Sequence, residues 1–201
     1  FKTHNALCKI NNFSFTDSKN TIATIHIVRD PRNVVTSLSN HYQINKNEAF
    51  DFMKNEKKAL VEKKNDKFLG FVPLFSWKFH QESWSECKKF PVLTIRYEDL
   101  QADTFRTFKS ILNFLRDTTN SNIDINSDKI NQVIKSCEFE KLQKLEKDGG
   151  FKEALVSKKT NEKIKFFNLG RENDFRNLLD KQMINEMTEF YKDQIKKYKY
   201  E

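Results

Sequence analysis

Arg29 and Ser37 stand eight residues apart in the stretch Ile25-His26-Ile27-Val28-Arg29-Asp30-Pro31-Arg32-Asn33-Val34-Val35-Thr36-Ser37. A guanidinium fork and a hydroxyl can together hold a phosphate monoester, the first through two parallel bonds and the second through one more. The elements that must present them can be read locally. Residues 22–28 are apolar and β-branched over a strand's length, which predicts a buried strand over 21–29 with Arg29 as its last residue. Asp30 can cap a helix and Pro31 suits its first position, so a helix runs from Pro31 to about His41. Its free N–H groups and dipole favour an anion at the same point. Ser37 lies two turns along that helix.

The remaining chain supplies the scaffold. Phe1-Lys2-Thr3-His4-Asn5-Ala6-Leu7 reads as a strand leaving into a loop, and Asn11-Asn12 and Asp17-Ser18-Lys19-Asn20 as turns. A second helix starts at Asn47-Glu48, with Phe50, Met53, Leu60 and Val61 as candidate buried positions, and Gly70 and Pro73 break its pattern. Leu74, Trp77, Phe79, His80, Trp84 and Cys87 fall at helical spacing. Val92 to Tyr97 form a second buried strand, ending at Glu98-Asp99-Leu100. Helices follow through Phe105 to Leu115, around 127–137 and at 138–147, stopped by Gly149-Gly150. Residues 151–170 are mostly irregular. A final helix spans about 180–198 with Met183, Ile184, Met187, Phe190, Tyr191 and Ile195. Strands separated by helices predict an α/β fold, a parallel sheet with right-handed crossovers. Such sheets bind ligands beyond the carboxyl ends of their strands, where Lys2–His4, Arg29 and Tyr97 are all expected.

Composition narrows the function classes. The 201 residues suffice for one domain, expected over 1–201, and 19 Phe residues argue against disorder despite a mean hydropathy of -0.76. The net charge of +8 invites a nucleic-acid reading. However, Lys57-Lys58, Lys63-Lys64, Lys88-Lys89, Lys158-Lys159 and Lys196-Lys197 are interleaved with Glu and Asp, as on solvated helix faces. No stretch alternates Arg with aromatics, so a surface attracting a small polyanion fits equally well. No apolar run approaches membrane-spanning length and no metal box appears. Cys8, Cys87 and Cys137 lack paired spacing, and no signal-peptide pattern is visible, which together suggest reduced thiols in a cytoplasm.

These stretches, in this order, resemble the PAPS-dependent sulfotransferase family. Arg29 to Ser37 resembles its 3′-phosphate-binding segment, Lys2-Thr3-His4 its Lys-Thr-His segment, and Tyr97-Glu98-Asp99-Leu100 its Tyr-Glu-Asp turn. Gly170-Arg171-Glu172-Asn173-Asp174-Phe175-Arg176-Asn177 is similar to its C-terminal Gly-x-x-Gly-Asp-Trp-Lys-Asn loop, with Asn173 and Phe175 in place of a Gly and the Trp, and Asn168-Leu169 where many relatives carry Arg-Lys. Trp77 to Trp84, around His80, matches a family helix. The resemblance implies a P-loop-NTPase-like sheet and transfer of a sulfuryl group from 3′-phosphoadenosine 5′-phosphosulfate (PAPS) to a hydroxyl or amine on a small molecule or glycan, without a metal. It implies His4 as general base, Lys2 beside the transferring group, and Arg29, Ser37, Tyr97, Phe139, Gly170 and Arg171 as the nucleotide contacts. The family's first strand and Lys-containing phosphate loop are expected upstream of Phe1, so the chain, which starts without Met, is expected to be an N-terminally truncated piece.

Each assignment has a plainer rival. Without the resemblance His4 is a polar residue near a frayed terminus, and His26, His41 and His80 are structural. A strand-end Arg29 pairing with Asp30 or Asp99 is the minority reading, and Arg32 is read as a solvated helix residue. Tyr97 divides evenly between an adenine contact and a strand-end core aromatic. Phe139 reads first as core, and for Gly170 a plain turn glycine stands close behind a backbone approach to the 3′-phosphate. For the whole chain, the rival to an enzyme is a non-catalytic nucleotide-binding remnant without a place for the sulfate. A generic RNA-binding protein and a P-loop kinase come further behind.

Overall fold

The computed structural model describes residues 1–64, 67–157 and 160–200, with only the backbone given for 62–64 and 67–69. The reading of Lys158-Lys159 lies outside the described residues, as do the side chains of Lys63-Lys64. In chain order the elements are β1 (Lys9–Ile10), β2 (Phe13–Ser14), β3 (Thr24–Val28), α1 (Pro31–Tyr42), α2 (Lys46–Lys54), β4 (Ala59–Lys64), β5 (Lys67–Pro73), α3 (Trp77–Ser85) and β6 (Val92–Arg96). Then come α4 (Tyr97–Ala102), α5 (Thr104–Thr119), α6 (Ser127–Ser136), α7 (Phe139–Gly149), a 3-10 turn at Gly170–Glu172, α8 (Phe175–Leu178), α9 (Lys181–Phe190) and α10 (Lys192–Tyr198).

β3 and β6 pair in parallel, Ile25 beside Leu93 and Val28 beside Arg96, so the expected α/β architecture with a parallel sheet is present. Both strands end at the same level, which brings Arg29 and Tyr97 to one edge. β1–β2 and β4–β5 are separate antiparallel hairpins. On one side of β3, Val28 joins Val35, Phe50, Met53, Trp77, Phe175, Met187 and Tyr191 in a core drawn from α1, α2, α3 and the C-terminal helices. On the other, Ile27 is 53% exposed and lines a wide cavity.

Several expectations need correction. The second helix stops at Lys54, because Asn55 adopts an extended conformation and its side chain accepts from Lys57 N–H. Leu60 and Val61 therefore lie on β4, where Val61 faces solvent, and Gly70 and Pro73 belong to β5 rather than interrupting a helix. The C-terminal helix breaks at Tyr191, which ends α9, and Phe190 is half exposed. Phe79 also faces solvent, and Cys87 lies beyond α3. Residues 1–7 form no strand, and Arg29 lies just past β3. Lys57-Lys58 and Lys88-Lys89 sit in loops, not on helix faces.

The histidine in β3 is structural, as expected. His26 is 6% exposed, its Nε2 donates to Gln81 Oε1 at 2.7 Å, and Thr94 faces its Nδ1 at 3.4 Å. Burial pushes it down to about 4; the Gln81 bond opposes this, while His80 and Lys197 add to it. Between pH 6.5 and 4 the unfolded chain therefore takes a proton that the folded chain refuses, so stability falls with pH in that window. Denaturant titrations should show His26→Gln losing roughly 2–3 kcal/mol less than the parent between pH 7 and 4. Identical acid limbs would contradict this.

Candidate active site

The β3–α1 turn is built by its own side chains. Asp30 caps α1 by accepting from Arg32 N–H at 2.9 Å, with Pro31 in the first turn, as the residue types predict. Behind it, Asp30 N–H donates to Glu98 Oε1 at 3.0 Å, joining the turn to the start of α4. Arg29 leaves this turn with its guanidinium 4.3 Å from the centre of the Tyr97 ring, and Nη1 donates to Ser37 Oγ at 3.4 Å. Thus strand end, guanidinium, helix start and hydroxyl do come together.

Arg29 does not pair with Asp30 or Asp99. Those carboxylates are held by Arg32 and Arg96 respectively. Arg29 Nε and Glu98 Oε2 are both buried without a hydrogen-bond partner among the described residues. Burial lowers the Arg29 guanidinium from its ordinary value, against the pull of Tyr97, Glu98 and Asp30. A half-buried cation that neither neighbouring aspartate pairs with is suited to an incoming anion, which would restore what desolvation removes.

The loop after residue 169 closes over the same helix. Gly170 has φ +55, and a Cβ there would lie 2.7 Å from the Phe139 ring, so both conformation and space demand glycine. Phe139 is half-buried against that turn and Phe167. Arg171 points outward and is exposed. Asn173, counted beforehand only as a departure from the pattern, is buried. Its Nδ2 donates to Ser37 Oγ at 2.9 Å and to the Asn33 carbonyl at 3.1 Å, while Thr36 donates to its Oδ1. Asn33 Oδ1 in turn receives Phe175 N–H at 2.8 Å. An amide in that loop, with both donor and acceptor, was the available signal.

Lys2 and His4 lie on an extended segment clamped by α3. Trp84 Nε1 donates to the Asn5 carbonyl at 2.9 Å, Ser83 Oγ accepts Leu7 N–H at 3.0 Å, and His80 Nε2 donates to the His4 carbonyl at 3.2 Å. β5 adds its Pro73 carbonyl, which accepts Ala6 N–H at 2.9 Å. His4 itself is exposed at the wall of a cavity of about 1260 Å³, shared with Lys2, Phe75, Trp77 and the Ile25 and Ile27 face of β3. The Lys2 ammonium is 2.6 Å from Glu153. That pair holds the Glu153 carboxyl below its ordinary value, with smaller pulls from His4 and His41. Two groups result, one around the Arg29 guanidinium and one around the His4 imidazole. Val34 and Leu38 of α1 line the cavity that His4 shares.

The family model described as Sulfotransferase domain matches residues 1–199. The chain belongs to the sulfotransferase family. Its fold is also that of the mouse sulfotransferase SULT7A1, solved in complex with PAP, with a TM-score of 0.58 at 21% sequence identity over 86% of this chain. The match takes in 58% of the length of that sulfotransferase. No curated protein matches the chain.

Within this sulfotransferase domain one expectation about the site fails. Arg32 is not solvated; it is 6% exposed and bound to Asp30. Its other partners, Thr188, Tyr200 and Phe175, come from distant parts of the chain, which local reading could not supply. Among the described residues no three His, Cys, Asp or Glu side chains gather to hold a metal, and no helix is long and apolar enough to cross a membrane.

Proposed function

We propose that this sulfotransferase moves a sulfuryl group from PAPS to a hydroxyl or amine acceptor, with the donor's ribose 3′-phosphate at Arg29. The observation that carries the reading is the Arg29 guanidinium: stacked on Tyr97, sharing Ser37, and held by neither Asp30 nor Asp99, which pair with Arg32 and Arg96. A phosphate would engage the Nη edge of Arg29, the accessible side beside Ser37 Oγ. Ser37 would add its hydroxyl, and the turn at Gly170 would let backbone amides approach. Tyr97, Phe139 and Arg171 are the further nucleotide contacts in this reading.

The reaction is an in-line displacement. The acceptor oxygen or nitrogen forms its bond to sulfur while the sulfur's bond to the bridging oxygen of the 5′-phosphate breaks, and that electron pair leaves with 3′,5′-bisphosphoadenosine. The acceptor proton passes to the His4 imidazole, the general base in this reading. Lys2 supports the charge on the bridging oxygen, and to do so it must leave Glu153. Both partners of that ion pair are largely exposed, so the exchange costs little. The three unpaired cysteines fit a reducing compartment, so we place the protein in the cytoplasm, working as one domain on a small-molecule or glycan acceptor.

The test is transfer of label from radiosulfur-labelled PAPS by the full-length protein to phenols, alcohols, amines and oligosaccharides. Labelled product with stoichiometric bisphosphoadenosine is the expected result. Bisphosphoadenosine binding without turnover on any acceptor would overturn the catalytic reading and leave a nucleotide-binding protein; no binding would overturn the whole of it.

A further inference from the structure

We propose that Arg32 is a positioning residue for the 3′-phosphate site, an inference that rests on the nucleotide reading above. Arg32 does not reach the anion site itself. Instead its guanidinium touches four separate segments of the chain. Its Nε and Nη2 donate to both carboxylate oxygens of Asp30 at 2.7–3.3 Å. Nη2 also donates to the Tyr200 carbonyl at 2.7 Å, and Nη1 to Thr188 Oγ1 of α9 at 3.2 Å. Its flat face lies 4.1 Å from the centre of the Phe175 ring.

Two of these contacts lead to the two walls of the anion site. Asp30 is the cap of α1 and, through its own N–H, the link to Glu98; it sets the turn from which Arg29 emerges. Phe175 stands two residues past Asn173, and both are bonded to α1, Asn173 at Ser37 and Phe175 at Asn33. Arg32 thus fastens the Arg29 turn and the Gly170–Phe175 loop to one another, while Tyr200 and Thr188 hold the guanidinium from behind.

Stability alone does not account for an ion pair whose side chains are only 7% and 6% exposed, because desolvation offsets most of the attraction of such pairs. Its distinctive property is geometric. A planar fork saturated on two edges and stacked on one face fixes angles that a lysine cannot.

The experiment compares the full-length protein with Arg32→Lys, which keeps the charge beside Asp30 but loses the fork. Calorimetry gives the affinities for 3′,5′-bisphosphoadenosine and for adenosine 5′-monophosphate, which lacks the 3′-phosphate. Their ratio isolates the 3′-phosphate site and is indifferent to a general loss of stability. The ratio should be large in the parent and at least fivefold smaller in Arg32→Lys. Should Arg32→Lys fail to fold, Phe175→Leu, which leaves the ion pair and removes the stacking face, should lower the ratio severalfold. A large parental ratio that the folded variant preserves overturns the positioning role alone. A parental ratio near one overturns the 3′-phosphate reading, and the role of Arg32 with it.

Discussion

His4→Ala is expected to lower the rate of sulfuryl transfer by roughly 10²–10⁴-fold, the usual contribution of a positioned general base. Binding of bisphosphoadenosine should hardly change, since no described contact joins His4 to the Arg29 group. The fold should also persist. The segment is anchored by backbone groups of residues 4–7 to His80, Ser83, Trp84 and Pro73, and the imidazole carries none of those bonds. The check is single-turnover transfer from labelled donor beside a calorimetric titration. A His4→Ala protein within threefold of the parent's rate, or one that loses rate and nucleotide affinity in equal measure, would remove His4 from the role of base.

The second large effect is expected at Arg29. A charge-assisted hydrogen bond contributes about 1.5–3 kcal/mol net, so Arg29→Ala should weaken bisphosphoadenosine by somewhere between tenfold and two hundredfold. Arg29→Lys should fall between parent and alanine, retaining the charge while giving up the fork and the planar stack on Tyr97. Thermal stability should stay close to the parent's. The guanidinium has a buried Nε with no partner and a pKa lowered first of all by burial, so removing it relieves a desolvation penalty rather than breaking an ion pair. Equal affinity of parent and Arg29→Ala for bisphosphoadenosine would end the assignment.

The features legible beforehand share one physical property: their causes are close in sequence. Asp30 and Pro31 cap and open α1 by contacts within the first turn, and Arg29 and Ser37 meet because a strand end and two helical turns fix their separation. The helices beginning at Thr104, Ser127 and Phe139 show their 3.6-residue periods directly. The hairpin of β4 and β5 was hidden because Leu60 and Val61 continue the apolar spacing of α2. Only the turn at Asn55 tells them apart, and isolated turn residues are weak punctuation. Lys2 and His4 were expected at a strand end, yet α3 holds them, because the donors that fix their backbone are about eighty residues away.

The amino-acid order by itself determined the local geometry around Arg29: a β3 edge, a capped helix, a guanidinium and a hydroxyl two turns on. Tertiary structure alone decided that Arg32 is buried, that Asn173 bonds Ser37, and that Gly170 must yield space to Phe139. The partners of Arg32 at Thr188 and Tyr200 are 156 and 168 positions distant, and Asn173 is 136 from Ser37. Charge and polarity make such residues look solvent-facing until the chain supplies partners that satisfy them. Whether a buried donor finds its acceptor is a property of packing, which periodicity and capping rules do not contain.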